Sequence, residues 1–281
     1  MKNTSVDLVG KLPEKLIHLY QLINQQAVNL SIPYLVVGAT ARDLILVEAY
    51  GAPLQRATRD IDFAIKVAHW DDFSKLKDQL QLAGFKSAAN MPHRFILEIS
   101  GHPWEVDILP FGDISTNAQI SWPPEHKIQM NVMGFTEAYE HSLQVKLSEN
   151  PLLELAVASP VGMLLLKLIA WLDRVPEKRP KDAADINYLI EQYARVPGIT
   201  DDLYDEGHME AQQWDMEMAA AMKLGQELHR MMTGPTATHL EQQLFSRADR
   251  LQILSNEMSR STLNTPETCT SRLTALRQGL S

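Results

Sequence analysis

The chain has 281 residues, 45% hydrophobic, 22% charged and 7% aromatic, with 15 Pro and 13 Gly, proportions that exclude a disordered, collagenous or low-complexity protein. A formal charge of −9 and a single cysteine, Cys269, argue against a surface built wholly to wrap nucleic acid and exclude an intramolecular disulfide or a cysteine-cluster metal site. The longest nearly apolar run, Val161 to Leu172, is broken by Lys167 and falls short of the roughly 18–20 residues of a bilayer span; Met1 to Gly10 lacks the pattern of a secretory signal, so a cytoplasmic chain without a membrane span is expected.

Leu12 to Val28 carries apolar residues at helical spacing (Leu16, Leu19, Tyr20, Ile23, Ala27), with Pro13 where a first turn tolerates it. Tyr34 to Val37 is a short β-prone run that stops at Gly38, and Thr40 to Tyr50 regains helical character. Ile61 to Val67 predicts the next strand, followed by a helix from about Asp71 to Ala83 that ends at Gly84. Arg94 to Ile99 and Trp104 to Leu109 flank Ser100-Gly101-His102-Pro103, the pattern of two strands around a tight turn. From Pro160 onward the chain reads helical: Val161 to Arg174, Lys181 to Ala194, Glu210 to Met232, His239 to Ser259 and a weaker segment near Ser271 to Leu280. The expected fold class is α+β, a mixed sheet with flanking helices over residues 1–150 followed by a helical subdomain over 151–281, with the boundary near Asn150-Pro151.

The sharpest local feature is Thr58-Arg59-Asp60-Ile61-Asp62-Phe63. A strand has a side-chain period of two, so Asp60 and Asp62 share one face while Ile61 and Phe63 point to the core. Neighbouring carboxylates repel and need cations, and Mg²⁺, a hard ion that binds oxygen ligands together with substrate phosphates, suits them. Asp107 repeats the arrangement on a later strand, with Glu105 on its face and Val106 and Ile108 on the other. Three carboxylates around two divalent ions can activate an attacking hydroxyl and stabilise departing pyrophosphate. Upstream, Val36-Val37-Gly38-Ala39-Thr40-Ala41-Arg42-Asp43 sets small residues at a strand-to-helix turn, where backbone N–H groups and the helix dipole favour the phosphates of a nucleoside triphosphate.

The order of Gly38-Ala39, Arg42-Asp43, Asp60-Ile61-Asp62 and Asp107 resembles the polymerase β-type nucleotidyltransferase superfamily, and most closely the toxins of the AbiEii/AbiGii type. Lys181-Asp182-Ala183-Ala184-Asp185 matches that group's Lys-Asp-x-x-Asp motif, with Lys167 in the preceding helix, and the resemblance spans roughly Tyr34 to Leu189. It implies Asp60, Asp62 and Asp107 as ligands of Mg²⁺, or of Mn²⁺ in its place; Gly38, Ala39 and Thr40 as the phosphate turn; and Arg42, Arg59, Lys167 and Arg174 as further nucleotide contacts. It also implies catalytic roles for Lys167, Asp182 and Asp185 and a helical subdomain that completes the active-site cleft. The family usually has Gly-Gly or Gly-Ser where this chain has Gly38-Ala39, which leaves the phosphate contact to Thr40 or to backbone N–H groups.

The helical half also speaks through its residues. The Lys167 helix is apolar nearly all round, so its ammonium must reach solvent or face an anion. Trp171 and Arg174 follow on the same face, a surface able to meet phosphates and a base. Asp182 and Asp185 share a face near the start of their helix, where they either bridge to Lys167 or Arg174 or orient a reacting group. Arg174, Lys178, Arg179 and Lys181 form the best local basic patch, a candidate for a polyphosphate or an RNA backbone.

The expected activity is transfer of a nucleoside monophosphate from a nucleoside triphosphate to an acceptor hydroxyl. By resemblance the acceptor is the tRNA 3′ end and the role is that of a toxin with a partner antitoxin. A cationic small molecule such as an aminoglycoside is the competing acceptor, which the acidic charge balance fits at least as well. A metal-dependent glycosyltransferase, in which Asp-x-Asp holds a nucleotide sugar, and a catalytically dead member of the fold are the readings outside this chemistry.

Overall fold

The structure, a computed structural model, describes residues 5–56, 60–89, 91–260 and 264–280. The chain forms two compact units, one from Met1–Ala49 with Arg56–Ser159 and the other from Tyr50–Gln55 with Pro160–Ser281. Arg59, expected among the nucleotide contacts, lies outside the described residues.

In chain order the first unit holds β1 (Ser5–Asp7), α1 (Glu14–Asn29), β2 (Tyr34–Val37), α2 (Gly38–Arg42), β3 (Asp60–Lys66), α3 (Trp70–Leu82), β4 (Lys86–Ser87), β5 (Arg94–Ile99) and β6 (His102–Phe111). It continues with β7 (Gln119–Ser121), β8 (Gln129–Asn131), α4 (Phe135–Glu140), β9 (Leu143–Glu149) and β10 (Leu152–Val157). Among the described residues, eight of these strands form a mixed sheet in the order β1-β9-β10-β2-β3-β6-β5-β4, and β7 pairs with β8 apart from it. All four residues of β2 are buried, as a strand covered on both faces requires. It pairs parallel with β10 on one side and antiparallel with β3 on the other.

Strand β3 takes its neighbours from distant parts of the chain, antiparallel β2 and parallel β6. Its inward residues Ile61, Phe63 and Ile65 are buried, and Phe63 meets Tyr20 and Tyr34 edge-on with centroids 6.0 and 5.9 Å away, a favoured aromatic geometry. The alternation that buries these side chains turns Asp60 and Asp62 to the opposite face.

The units part at Ser159 and Pro160, beyond the expected Asn150-Pro151. The reason is that Asn150-Pro151 is the turn of a hairpin: β9 and β10 pair antiparallel across it, and β10 returns to lie beside β2.

The second unit contains α5 (Pro160–Asp173), α6 (Arg179–Gln192), α7 (Ile199–Asp205), α8 (His208–Ala211), α9 (Met216–Met231), α10 (Gly234–Leu240), α11 (Ala248–Ser259) and α12 (Pro266–Gln278). The helix expected over Glu210 to Met232 is broken at Gln212–Asp215. There Gln213 and Trp214 take positive φ, and the Asp215 carboxylate accepts from the N–H groups of Glu217 and Met218 at 3.0 and 3.1 Å, an N-cap that starts a new helix. The helix expected from His239 is likewise divided, with Glu241–Phe245 wound as a π-helix before α11. The segment Tyr50–Gln55 is tied to α6, since Tyr188 donates its hydroxyl to the Pro53 carbonyl at 2.9 Å and Gln55 donates to the Ala184 carbonyl at 3.0 Å.

Helices α9 and α12 approach at backbone contact. A Cβ built on Gly225 would overlap the carbonyl of Leu276, and one built on Gly279 the carbonyl of Met222. Gly225→Ala is therefore expected to force the helices apart at a cost of about 1–3 kcal/mol, the range for an overpacked core. Urea unfolding followed by circular dichroism checks this, and an unchanged midpoint contradicts it.

Candidate active site

Two backbone features set the acidic end of β3. Val37 pairs with Asp62 in the β2–β3 ladder, so Gly38, the next residue, turns beside Asp62. Gly38 has φ +70° and a Cβ on it would overlap the Asp62 carboxylate, so glycine is needed both for the left-handed turn and for the close approach. From Gly38 the chain winds at once into α2, which continues through Ala49 as a π-helix.

The turn is further tied to β3 by Thr40, whose hydroxyl donates to the Asp60 carbonyl at 3.1 Å. Thr40 thus ties the turn to β3. Arg42 departs from expectation. Only 2% exposed, it donates Nε and Nη2 to Asp43 Oδ1 at 2.9 and 2.7 Å, and a guanidinium sealed in this way does not face a nucleotide in solvent.

On the other side of β3, Asp62 lies opposite Asp107 and Asp60 opposite Glu105 in the parallel ladder with β6. Four carboxylates therefore stand on adjacent strands, and Asp107 is taken up by Arg94. Arg94, opposite Asp107 in the β5–β6 hairpin, donates Nε to Oδ1 and Nη2 to Oδ2, each at 2.7 Å. Its Nη1 donates to Glu105 Oε2 at 2.6 Å. Hydrogen bonding to Asp107 holds the guanidinium above its ordinary pKa against the pull of burial, with the charges of Asp107, Glu105 and Asp60 adding to it. Next to it, burial lowers the His93 pKa, although the Asp107 charge pulls the other way.

Among the described residues, no three His, Cys, Asp or Glu side chains are grouped so as to hold a metal ion. Of the three carboxylates expected to hold metal, Asp107 has both oxygens in the bidentate Arg94 fork. Asp60 and Asp62 still fit a divalent ion. They are hard oxygen donors on one face of a strand, beside a glycine cradle that a Cβ would fill, and Mg²⁺ commonly takes one or two carboxylates together with waters and substrate phosphates.

In the helical unit, Lys167, Arg174, Asp182 and Asp185 form one ion cluster. The Lys167 ammonium lies 3.0 Å from Asp182 Oδ1 and 2.8 Å from Asp185 Oδ2, and Arg174 Nε lies 2.8 Å from Asp182 Oδ2. Burial alone would lower the Lys167 pKa, but the charges of Asp185 and Asp182 outweigh it and raise the pKa overall. The two carboxylates are sealed, at 0% and 2% side-chain exposure, whereas Lys167 keeps 17% and Arg174 43%. The cations are the members of the cluster that solvent reaches. Trp171 is 1% exposed and donates Nε1 to Glu257 at 2.7 Å, while Arg179 covers its ring at 5.0 Å. It is packed away from any base.

Arg94 was legible in principle: counting back from the Ser100-Gly101 turn, Ile99 opposite His102 leads to Arg94 opposite Asp107. Lys223 was legible only in part: Glu227, at 3.0 Å, lies four residues on along the same helix, whereas Glu206, at 2.7 Å, meets it only in the folded bundle.

The family model described as "Nucleotidyl transferase AbiEii toxin, Type IV TA system" matches residues 25–260 of this chain. Among solved structures the chain is similar to the antibiotic-resistance factor ANT(2'')-Ia, 11% identical with a TM-score of 0.38, covering 72% of this chain and 100% of that one. It is also similar to the CCA-adding enzyme of Thermotoga maritima in complex with tRNA, 13% identical with a TM-score of 0.27, covering 97% of this chain and 82% of that one. No curated protein matches the chain.

Replacing Lys167 by Met leaves Asp182 with Arg174 and removes the Lys167 charge from buried Asp185. Breaking a buried ion pair from one side costs about 3–5 kcal/mol, so Lys167→Met is expected to lower the urea midpoint sharply and Lys167→Arg to restore most of it. A Met variant as stable as the parent contradicts the cluster.

Proposed function

Because this chain belongs to the AbiEii nucleotidyl transferase family and is a nucleotidyltransferase, we propose that it moves a nucleoside monophosphate from a nucleoside triphosphate to the 3′ end of tRNA, as the toxin of a toxin–antitoxin pair. The observation that carries the site assignment is the Asp60/Asp62 face of β3 packed against the Gly38 turn. In the reaction the acceptor oxygen bonds to the α-phosphorus while the bridging bond to the β-phosphate breaks. Pyrophosphate leaves with the electron pair, and the hydroxyl proton passes to solvent.

Asp60 and Asp62 are assigned to hold a divalent cation, Mg²⁺ or Mn²⁺, which when bound supplies positive charge to a triphosphate. The backbone at Gly38 and Ala39 receives phosphate oxygens, a role for which exposed N–H groups at a helix start are suited. Lys167 and Arg174, the solvent-reachable cations of the helical cluster, are assigned to anionic substrate groups. Asp182 and Asp185 act as positioning residues that keep Lys167 charged and fixed; both are buried and ion-paired, which does not favour a general-base role. Family membership supports the toxin role. The net charge of −9 favours a second acceptor, a cationic small molecule, because a cation is drawn to an acidic surface that repels an RNA backbone.

Incubation with each labelled nucleoside triphosphate, Mg²⁺ and either total tRNA or a panel of aminoglycosides separates these acceptors. Label is expected on tRNA and is expected to fall by at least 10³-fold in Asp60→Asn/Asp62→Asn, in keeping with the large electrostatic share of such catalysis. Label on tRNA that survives this double substitution overturns the site, and label only on the aminoglycosides overturns the acceptor.

A further inference from the structure

The connection from α5 to α6 runs against the charge of the molecule that carries it. In a chain of net charge −9, residues 173–181 hold four cations, Arg174, Lys178, Arg179 and Lys181, against two acids, Asp173 and Glu177. Every residue from Asp173 to Lys178 is exposed, and so is Lys181. Arg174 is paired with Asp182, but Lys178 and Lys181 have no side-chain partner among the described residues. Arg179 is fixed in place without being neutralised. Its guanidinium lies over the Trp171 ring at 5.0 Å and its Nε donates to the Arg174 carbonyl at 2.9 Å, which leaves both Nη groups without a partner among the described residues. A guanidinium held this way is pre-organised for phosphate.

Lys178 is the N-cap of α6, and Arg179 and Lys181 lie in its first turn. Cations there oppose the helix dipole, which favours acids at that end, and Asp182, the acid of the same turn, is already paired with Lys167 and Arg174. Arg179 gains its contact with Trp171 in return; Lys178 and Lys181 gain none among the described residues. Cations so placed suit an anion from outside. A triphosphate, with its charge gathered at one end of a small molecule, is gripped in a concave pocket, whereas a nucleic-acid backbone is met by exposed Lys and Arg side chains spread along a surface. The exposed run fits the backbone.

We propose that the connection from Arg174 to Lys181 is a docking segment for the phosphate backbone of an acceptor RNA, with Lys178 and Arg179 as its phosphate contacts. The proposal rests on tRNA as the acceptor. It accounts for how a chain of net charge −9 holds a polyanion: the acidic surface repels RNA elsewhere, and the docking segment sets where the RNA binds. Phosphate contacts fix position and read no sequence, so this segment orients the RNA and does not choose among tRNAs.

Binding of fluorescently labelled total tRNA to the full-length chain, followed by anisotropy across a salt series, reads the docking segment. Each phosphate contact adds about 0.7–0.9 to the slope of log affinity against log salt, so Lys178→Gln/Arg179→Gln is expected to lower that slope by about 1.5–2. In the label-transfer reaction the same variant is expected to raise the KM for tRNA about tenfold and to leave the KM for the nucleoside triphosphate within about twofold of the parent. Lys178→Gln alone, a change at an exposed side chain that leaves the Arg179–Trp171 contact in place, is expected to lower the slope by about 1 and reads the proposal even if the double variant fails to fold. Lys178→Arg, which keeps the charge, is expected to keep the parent slope. An unchanged slope in the Gln variants overturns the proposal. A raised KM for the nucleoside triphosphate with tRNA affinity intact also overturns it, because the segment is then a triphosphate contact. A parent chain that neither binds nor labels tRNA defeats the tRNA reading and the docking segment together, whereas tRNA labelled by variants of unchanged slope defeats the docking segment alone.

Discussion

The parallel pairing of β3 with β6 is the constraint on which the candidate site depends. It sets Asp62 against Asp107 and Asp60 against Glu105, four acids on the paired strands, and no sheet tolerates that charge without compensation. Compensation comes from the next strand in the sheet. Arg94 on β5 neutralises the β6 pair, while on the other side the Gly38 turn lets the Asp62 carboxylate come up against backbone.

The helical unit meets the same problem with other means. Its buried charges come in sets: Lys167 and Arg174 with Asp182 and Asp185, Lys223 with Glu206 and Glu227, and Arg272 with Glu217 and the Asn187 side chain. Leaving any one of these charges without its partners would cost several kcal/mol. The Arg272 set ties together segments far apart in sequence, while the Lys167 set joins two consecutive helices. Cys269, buried in the same bundle with its thiol pKa raised by burial, donates to the same Asn187 Oδ1 at 3.7 Å and suits an inert core position.

How much of this was legible from the sequence depends on whether the determinant was local. The strands and helices of Tyr34 to Phe111 follow from apolar periodicity and glycine stops, and the common face of Asp60 and Asp62 follows from the strand period alone. Leu143, Val145 and Leu147 alternate just as clearly, yet Asn150-Pro151 signals a hairpin turn as readily as a domain boundary. Only the pairing of β10 with β2 decides between them. Arg42 and Thr40 looked available because nothing local reveals burial or a bond to a distant carbonyl. The bidentate grip of Arg94 on Asp107 lies between these cases, readable from hairpin register but masked by the metal-ligand pattern of the acids themselves.

The most direct test of the account is a crystal structure grown with Mn²⁺ and an unreactive nucleoside triphosphate, with the ion located by its anomalous scattering. The account predicts an anomalous peak within coordination distance of both Asp60 and Asp62, with phosphate oxygens on the same ion. No peak at β3 would contradict it.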